Sequence, residues 1–183
     1  SDNQVELAHL FAADYGQRLR YAPGLEWLVY DGTRWVRDES SAEASRLLMR
    51  TLRRLRREAE AELAAAPEGS AAEIAALARL SRIARAQTNS SLDSTLKIAA
   101  KLEGIVAKVV DFDARPHLLN MPSGTLDLST GLRRPHDPQD LLTKITVGDF
   151  DPQASTQSAL WDEFLATVLP DPEVLRYLQQ AAG

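Results

Sequence analysis

Two clusters in this chain contain the residue types that metal chemistry needs. In Val109-Val110-Asp111-Phe112-Asp113 the carboxylates of Asp111 and Asp113 stand two positions apart, with His117 nearby. On a strand such a pair faces the same way and would share a divalent ion. The plainer reading is a loop that closes a helix, since Asp-x-Asp ahead of a proline is common turn chemistry. His136 with Asp137 and Asp140 allows the same two readings. His9 reads as a helix-surface residue.

A third constellation concerns charge. At 100° per residue, Arg46, Arg50, Arg53 and Arg57 fall within about 60° of one another on a helical wheel, with Leu48, Leu52, Leu55 and Ala59 opposite. Arg54 and Arg56 sit beside Glu58 and Glu60. Like charges at i,i+3 and i,i+4 cost ~0.2–0.5 kcal/mol per pair, so the stripe works mildly against its own helix. A polyanion would offset that cost, because guanidinium forks fit phosphate oxygens and a rod can follow a backbone. The alternative is a solvated face or an acidic protein surface. A coding bias toward arginine, here 17 against four lysines, would also produce it. Trp27 and Trp35, with Tyr30, could stack unpaired bases, although tryptophans on a hairpin more often build core.

Absences narrow the classes. The chain has no cysteine, which excludes disulfides, thiolate metal sites and a thiol nucleophile. It has no phosphate-binding Gly-x-x-x-x-Gly-Lys-Ser/Thr loop, no Gly-x-Ser-x-Gly elbow and no His-Glu-x-x-His. No catalytic apparatus is legible, and no metal site is assigned. The net charge of −5 hides an uneven distribution: −4 over residues 1–45, +5 over 46–108 and −6 over 109–183. With no signal peptide and no long apolar run, the expected location is cytoplasmic.

The elements that must position these residues follow from pattern. Asn3 and Glu6 suggest a capping box, and fourfold spacing of Leu7, Phe11, Tyr15 and Leu19 predicts a helix over about 4–19. Asp31-Gly32 within Leu25–Val36 predicts a β-hairpin, with Trp27 and Trp35 near one end. Ser40 with Glu43 suggests a second capping box and a helix to Ala66. Ser70 with Glu73 starts another, to about Gln87. A polar joint at Thr88–Ser91 precedes a third, about 92–109. From Asp111 onward prolines and glycines punctuate short apolar runs, which predicts short strands and tight turns. Helical spacing returns over Trp161–Val168 and 172–182. The last helix has no C-cap signal, as expected of a piece ending inside a larger protein.

The most specific stretch runs Phe112-Asp113, Pro116, Leu118-Leu119-Asn120, Gly124-Thr125-Leu126-Asp127-Leu128, Thr130-Gly131, Arg134-Pro135-His136, Pro138, Asp140, Leu142 to Thr146, then Phe150-Asp151-Pro152. It resembles the motif region ahead of the helicase in phage and plasmid primases, the poxvirus-type primase-helicase N-terminal-like domain. The segments around Phe11-Ala12, Tyr15-Gly16, Trp27 to Gly32, Trp161 and Leu175 to Leu178 agree. Ser123 departs from the family pattern, which has Asn before Gly-Thr.

The resemblance covers a chain whose own element pattern reads as an α+β fold, mainly helical, with an N-terminal β-hairpin and a small strand-turn unit. It implies a connector domain over 1–155 and terminal helices over 156–183 that lead into an AAA+ helicase of superfamily three. The function implied is a non-catalytic collar that positions DNA and couples a primase to the replicative helicase. ATP and Mg²⁺ would belong to the parent helicase, and this segment would need no cofactor. Partners would be DNA, the adjoining helicase and primase domains, and further copies in a hexameric ring. The expected DNA contacts are Arg46, Arg50, Arg53, Arg54 and Arg57. Asn120, Gly124, Asp127, Gly131 and His136 would be motif scaffold, with Leu119, Leu126 and Leu128 a small core beneath them. The competing reading is a metal-dependent primase fragment using Asp111 and Asp113 with His117, because archaeo-eukaryotic-type primases hold metals on an Asp-x-Asp. A third is a protein-interaction adaptor.

Overall fold

The computed structural model describes residues 2–149 and 159–182. The chain is α+β and mainly helical, with two small antiparallel sheets. Two compact units are present, Ser1–Asp149 and Phe150–Gly183. The Phe150-Asp151-Pro152 part of the motif and the expected boundary at 155/156 lie outside the described residues.

The first helix, α1 (Asp2–Tyr15), is shorter than its apolar spacing predicts, and Asn3 lies inside it rather than capping it. Gly16 donates its N–H to Ala12 O at 2.8 Å and ends the helical run. Leu19 then belongs to a strand, β1 (Leu19–Ala22), which pairs with β2 (Glu26–Tyr30), and β2 pairs with β3 (Trp35–Arg37). The expected hairpin is therefore two-thirds of a three-stranded sheet. Its reversal is the predicted one: Asp31 Oδ1 accepts from Thr33 N, Thr33 Oγ1 and Arg34 N at 2.7–2.9 Å, beside Gly32 at φ 106°.

Strand alternation gives this sheet two apolar faces. Leu19 and Trp27 join Phe11, Leu47, Leu48, Leu52, Ile83, Leu96 and Ile105 in the main core. Ala22, Leu28 and Trp35 pack with Phe112 in a second cluster on the other face.

The helical middle comprises α2 (Ala42–Ala65), α3 (Ala71–Ala86) and α4 (Asn89–Ala99). Half of the expected Ser70–Glu73 capping box forms: Glu73 N donates to Ser70 Oγ at 3.2 Å, while the Glu73 carboxylate accepts from Gly69 N at 2.5 Å and Ser70 N donates to Pro67 O. The Ser40–Glu43 box does not form. Ser40 and Ser41 adopt positive φ, and Asp38 caps instead, its two oxygens accepting from Glu43 N at 2.9 Å and Ala44 N at 2.8 Å. The third helix starts within the polar joint and stops at Ala99, ten residues before its predicted end. The following segment is drawn alongside β1, where Tyr21 N donates to Ile105 O and Ala107 N to Tyr21 O, both at 2.8 Å.

The strand-turn unit contains β4 (Leu118–Met121), β5 (Gly124–Asp127) and β6 (Leu132–Arg134), paired in that order. Leu126 is buried, but Leu128 is exposed and contributes nothing to the small core expected of it. At Gly124, φ is +147° and an added Cβ would meet Arg134 O at 2.4 Å, so glycine is required by a neighbouring strand's backbone as well as by conformation. Gly131 sits at φ +70° in open space. In the second unit, α5 (Ala159–Val168) and α6 (Pro172–Ala182) match the predicted terminal helices.

Two outcomes follow. Gly124→Ala should lower unfolding free energy by at least about 2 kcal/mol in a urea titration, against about 1 kcal/mol for Gly131→Ala, where strain acts without a clash. Acid should also destabilise the fold. The Glu43 carboxyl is held below its ordinary value by Arg46, and Asp31, against the pull of partial burial, by Thr33 and Arg34. The folded state thus takes up protons less readily than the unfolded chain. The stability these groups contribute is present above the ordinary carboxylate pKa of about 4 and is lost as pH falls through the lower folded values. The urea midpoint should fall on that descent, and a midpoint flat down to pH 3 would contradict it.

Candidate nucleic-acid interface

Capping by Asp38 sets where α2 begins, and hence which way each of its side chains points. Ala44, Leu47, Leu48, Thr51, Leu52 and Ala59 are buried. Arg46, Arg50, Arg53 and Arg57 are exposed on the opposite side. At a rise of 1.5 Å per residue the stripe from Arg46 to Arg57 is about 16 Å long.

The six arginines of this rod divide by what they touch. Arg50, Arg53 and Arg57 make no hydrogen bond or ion pair with the rest of the described chain. Arg46 is held by Glu43, with Nε and Nη2 at 2.6 and 2.5 Å from Oε2, yet its side chain stays 66% exposed. Arg18, at the turn after α1, lies near enough to act on the same carboxylate, as does Arg50. Arg18 is not among the sequence-predicted contacts; it falls in the last turn of the helix predicted over 4–19.

Arg54, expected among the DNA contacts, is engaged within the fold. Its guanidinium spans Asp14 of α1 at 2.7 Å and Glu58 at 3.0 Å. Glu58 in turn receives Arg79 of α3, which also binds Glu62. This chain of charges links three helices, so Arg54 holds the fold together. Arg56 is paired with Glu60 at 2.8 Å.

The base-stacking role expected for Trp27 and Trp35 is overturned by burial: 4% and 1% of each residue is exposed. Trp27 lies near the start of β2 and Trp35 on β3 opposite Tyr30 at its end, on opposite faces of the sheet and not near one end. Trp27 packs edge-on against Phe11 and Tyr21. Trp35 donates Nε1–H to Pro138 O at 2.9 Å and lies under the Arg20 guanidinium, 5.1 Å from its ring centroid.

The paired-carboxylate reading fails on backbone geometry. Asp111 ends a 3-10 turn and accepts from Lys108 N at 3.1 Å. Asp113 has φ 52° and binds Thr143 through both N–H and hydroxyl, at 2.8 and 2.5 Å. Neither lies on a strand, so the shared face that a metal needs is missing, and His117 is exposed.

His136 is also occupied: Nδ1 meets Asn120 Oδ1 at 3.0 Å and Nε2 meets Pro122 O at 3.3 Å. Asp140 is buried and neutralised by Arg115 and Arg134 at 2.9 and 2.7 Å. Among the described residues no group of three His, Asp or Glu is arranged to hold a metal ion.

Asn120 sits at the centre of the motif region. Its Nδ2 donates to Thr33 O and Lys144 O at 3.0 and 2.9 Å, which fixes Oδ1 toward His136. Asp127 Oδ1 accepts from Ser129 N and Oγ and shapes the β5–β6 reversal.

No curated protein matches this sequence. A family model does: the one described as D5 N terminal like, over residues 8–170. With that match spanning both sheets and the helical middle, the chain belongs to the D5 N-terminal-like family, the poxvirus D5 and primase-helicase N-terminal-like domains.

Proposed function

We propose that this chain is the non-catalytic connector of a phage- or plasmid-type primase-helicase, with the outward face of α2 holding the phosphate backbone of DNA. One observation carries the reading. In a chain of net charge −5, Arg50, Arg53 and Arg57 stand exposed in a row without a hydrogen bond or ion pair among the described residues, beside Arg46 and Arg18. The other two arginines of the same rod are paired. Guanidinium groups left in a row at their own electrostatic cost fit a partner that is itself a row of anions. Contacts of this kind position a strand without reading its sequence.

The coupling half of the proposal draws support from the second unit, where Leu160, Phe164, Val168, Tyr177 and Leu178 are exposed along α5 and α6. Apolar side chains of that number fit contact with an adjoining domain. In this reading ATP and Mg²⁺ serve the adjoining helicase, the assembled parent is a hexameric ring, and the protein works in the cytoplasm.

The experiment is fluorescence anisotropy with a labelled single-stranded oligonucleotide across a salt series. Arg50→Glu with Arg53→Glu should weaken binding at least tenfold at 50 mM salt and flatten the salt slope, since each lost phosphate contact removes about 0.7 from it. The charge-matched pair Arg82→Glu with Lys144→Glu, exposed elsewhere, should change it far less. Melting temperatures should stay near wild type for both. Equal losses from the two pairs would reduce the effect to net charge and remove the stripe from the account.

A further inference from the structure

We propose that Glu43 is a built-in competitor for the phosphate groups that the α2 stripe receives, its carboxylate occupying Arg46 until a polyanion displaces it. The inference rests on the reading of the stripe as a polyanion site and adds what regulates it.

The Glu43 side chain bonds no residue but Arg46. The Ser40–Glu43 capping box does not form, because Asp38 takes the first N–H groups of α2, including that of Glu43 itself. The Glu43 side chain instead turns along the helix to Arg46, and both of that guanidinium's bonds go to the single oxygen Oε2. The charges of Arg18 and Arg50 also favour the ionised form of the same carboxylate, more weakly than Arg46 does. Three cations therefore bear on one anion, with Arg46 alone in contact with it. Two charges remain in excess, and the carboxylate stands where a phosphate oxygen would be bound.

The pair is also suited to exchange. It joins residues three apart on one turn, with Arg46 largely in solvent, and such pairs are individually weak. Breaking it disconnects nothing else. The contrast is Arg54, whose release would undo links to α1 and, through Glu58, to α3. A lone monoanion gains little by replacing a carboxylate that is already in position. A strand that offers several phosphates at once along Arg50, Arg53 and Arg57 gains the rest of the stripe, so Glu43 selects for polyanions.

The test compares wild type, Glu43→Gln and Glu60→Gln in oligodeoxythymidylate binding from 50 to 300 mM salt. Glu60→Gln removes the same charge from a pair that lies off the stripe. Glu43→Gln should tighten binding about threefold at 50 mM and steepen the slope of log affinity against log salt by about 0.7, the value for one added single-strand contact. Arg46→Gln should then cost more affinity in the Glu43→Gln background than in wild type. Glu43→Ser, which suits a helix's first turn, should act in the same direction, and thermal melts check that each variant folds. Binding that depends on Arg50 and Arg53 but ignores Glu43→Gln, or responds equally to Glu60→Gln, overturns this inference alone. Absence of wild-type binding at every salt overturns it together with the proposed function.

Discussion

At the start of α2 two backbone N–H groups donate to one carboxylate, that of Asp38, and that clamp secures the phase of a 24-residue helix. Moving the start by one residue would turn every side chain by 100° and carry Leu48 and Leu52 off the core. The clamp requires Ser40 and Ser41 at φ 58° and 55°, each costing about 1–3 kcal/mol. Two charge-assisted bonds, at about 1.5–3 kcal/mol each, offset that strain. The main core and the outward arginines thus share one helix phase, which the apolar periodicity prescribes and the clamp secures.

Once the phase is set, the arginines of α2 divide by geometry. Arg54 points toward α1 and α3, where Asp14 and Glu58 can reach it. Arg50, Arg53 and Arg57 point away from every neighbouring element and keep their repulsion. Sequence composition treats these four as equivalent. Only the helix phase, and the positions of two neighbouring helices, separates structural cation from available cation.

What was legible in the sequence was whatever local chemistry decides. Asp31-Gly32 closed its turn, Ser70 capped its helix, and glycine at 124 marked a place where only glycine fits. What was illegible depended on partners far along the chain. Leu19 continues the fourfold spacing of α1, yet its backbone pairs with Val29, and either element would bury it. The third helix lost its last ten predicted residues to a bridge between Tyr21 and Val106, which no window of sequence contains. At the candidate site the same rule holds. The stripe came from helical periodicity alone, whereas the pairing of Arg54 and the burial of Trp27 and Trp35 needed tertiary packing.

The two halves of the first unit are held by different forces, and that bears on where a charged partner can dock. The helical half is bound by one apolar core beneath α1, α2, α3 and α4. The second sheet has strands of four, four and three residues, too little to stand alone. It is fastened by polar groups: Asn120 to Thr33 O and Lys144 O, Trp35 to Pro138 O, Asp113 to Thr143, and Asp140 to two arginines. Buried polar links of this kind fix geometry but tolerate little competition from a highly charged neighbour. The unpaired arginines stand on the other half, on the face of α2 opposite its buried residues and away from the Arg54 ion pairs. None of the bonds that hold the motif region in shape involves a residue of α2, so the proposed polyanion contact and the motif scaffold draw on separate groups.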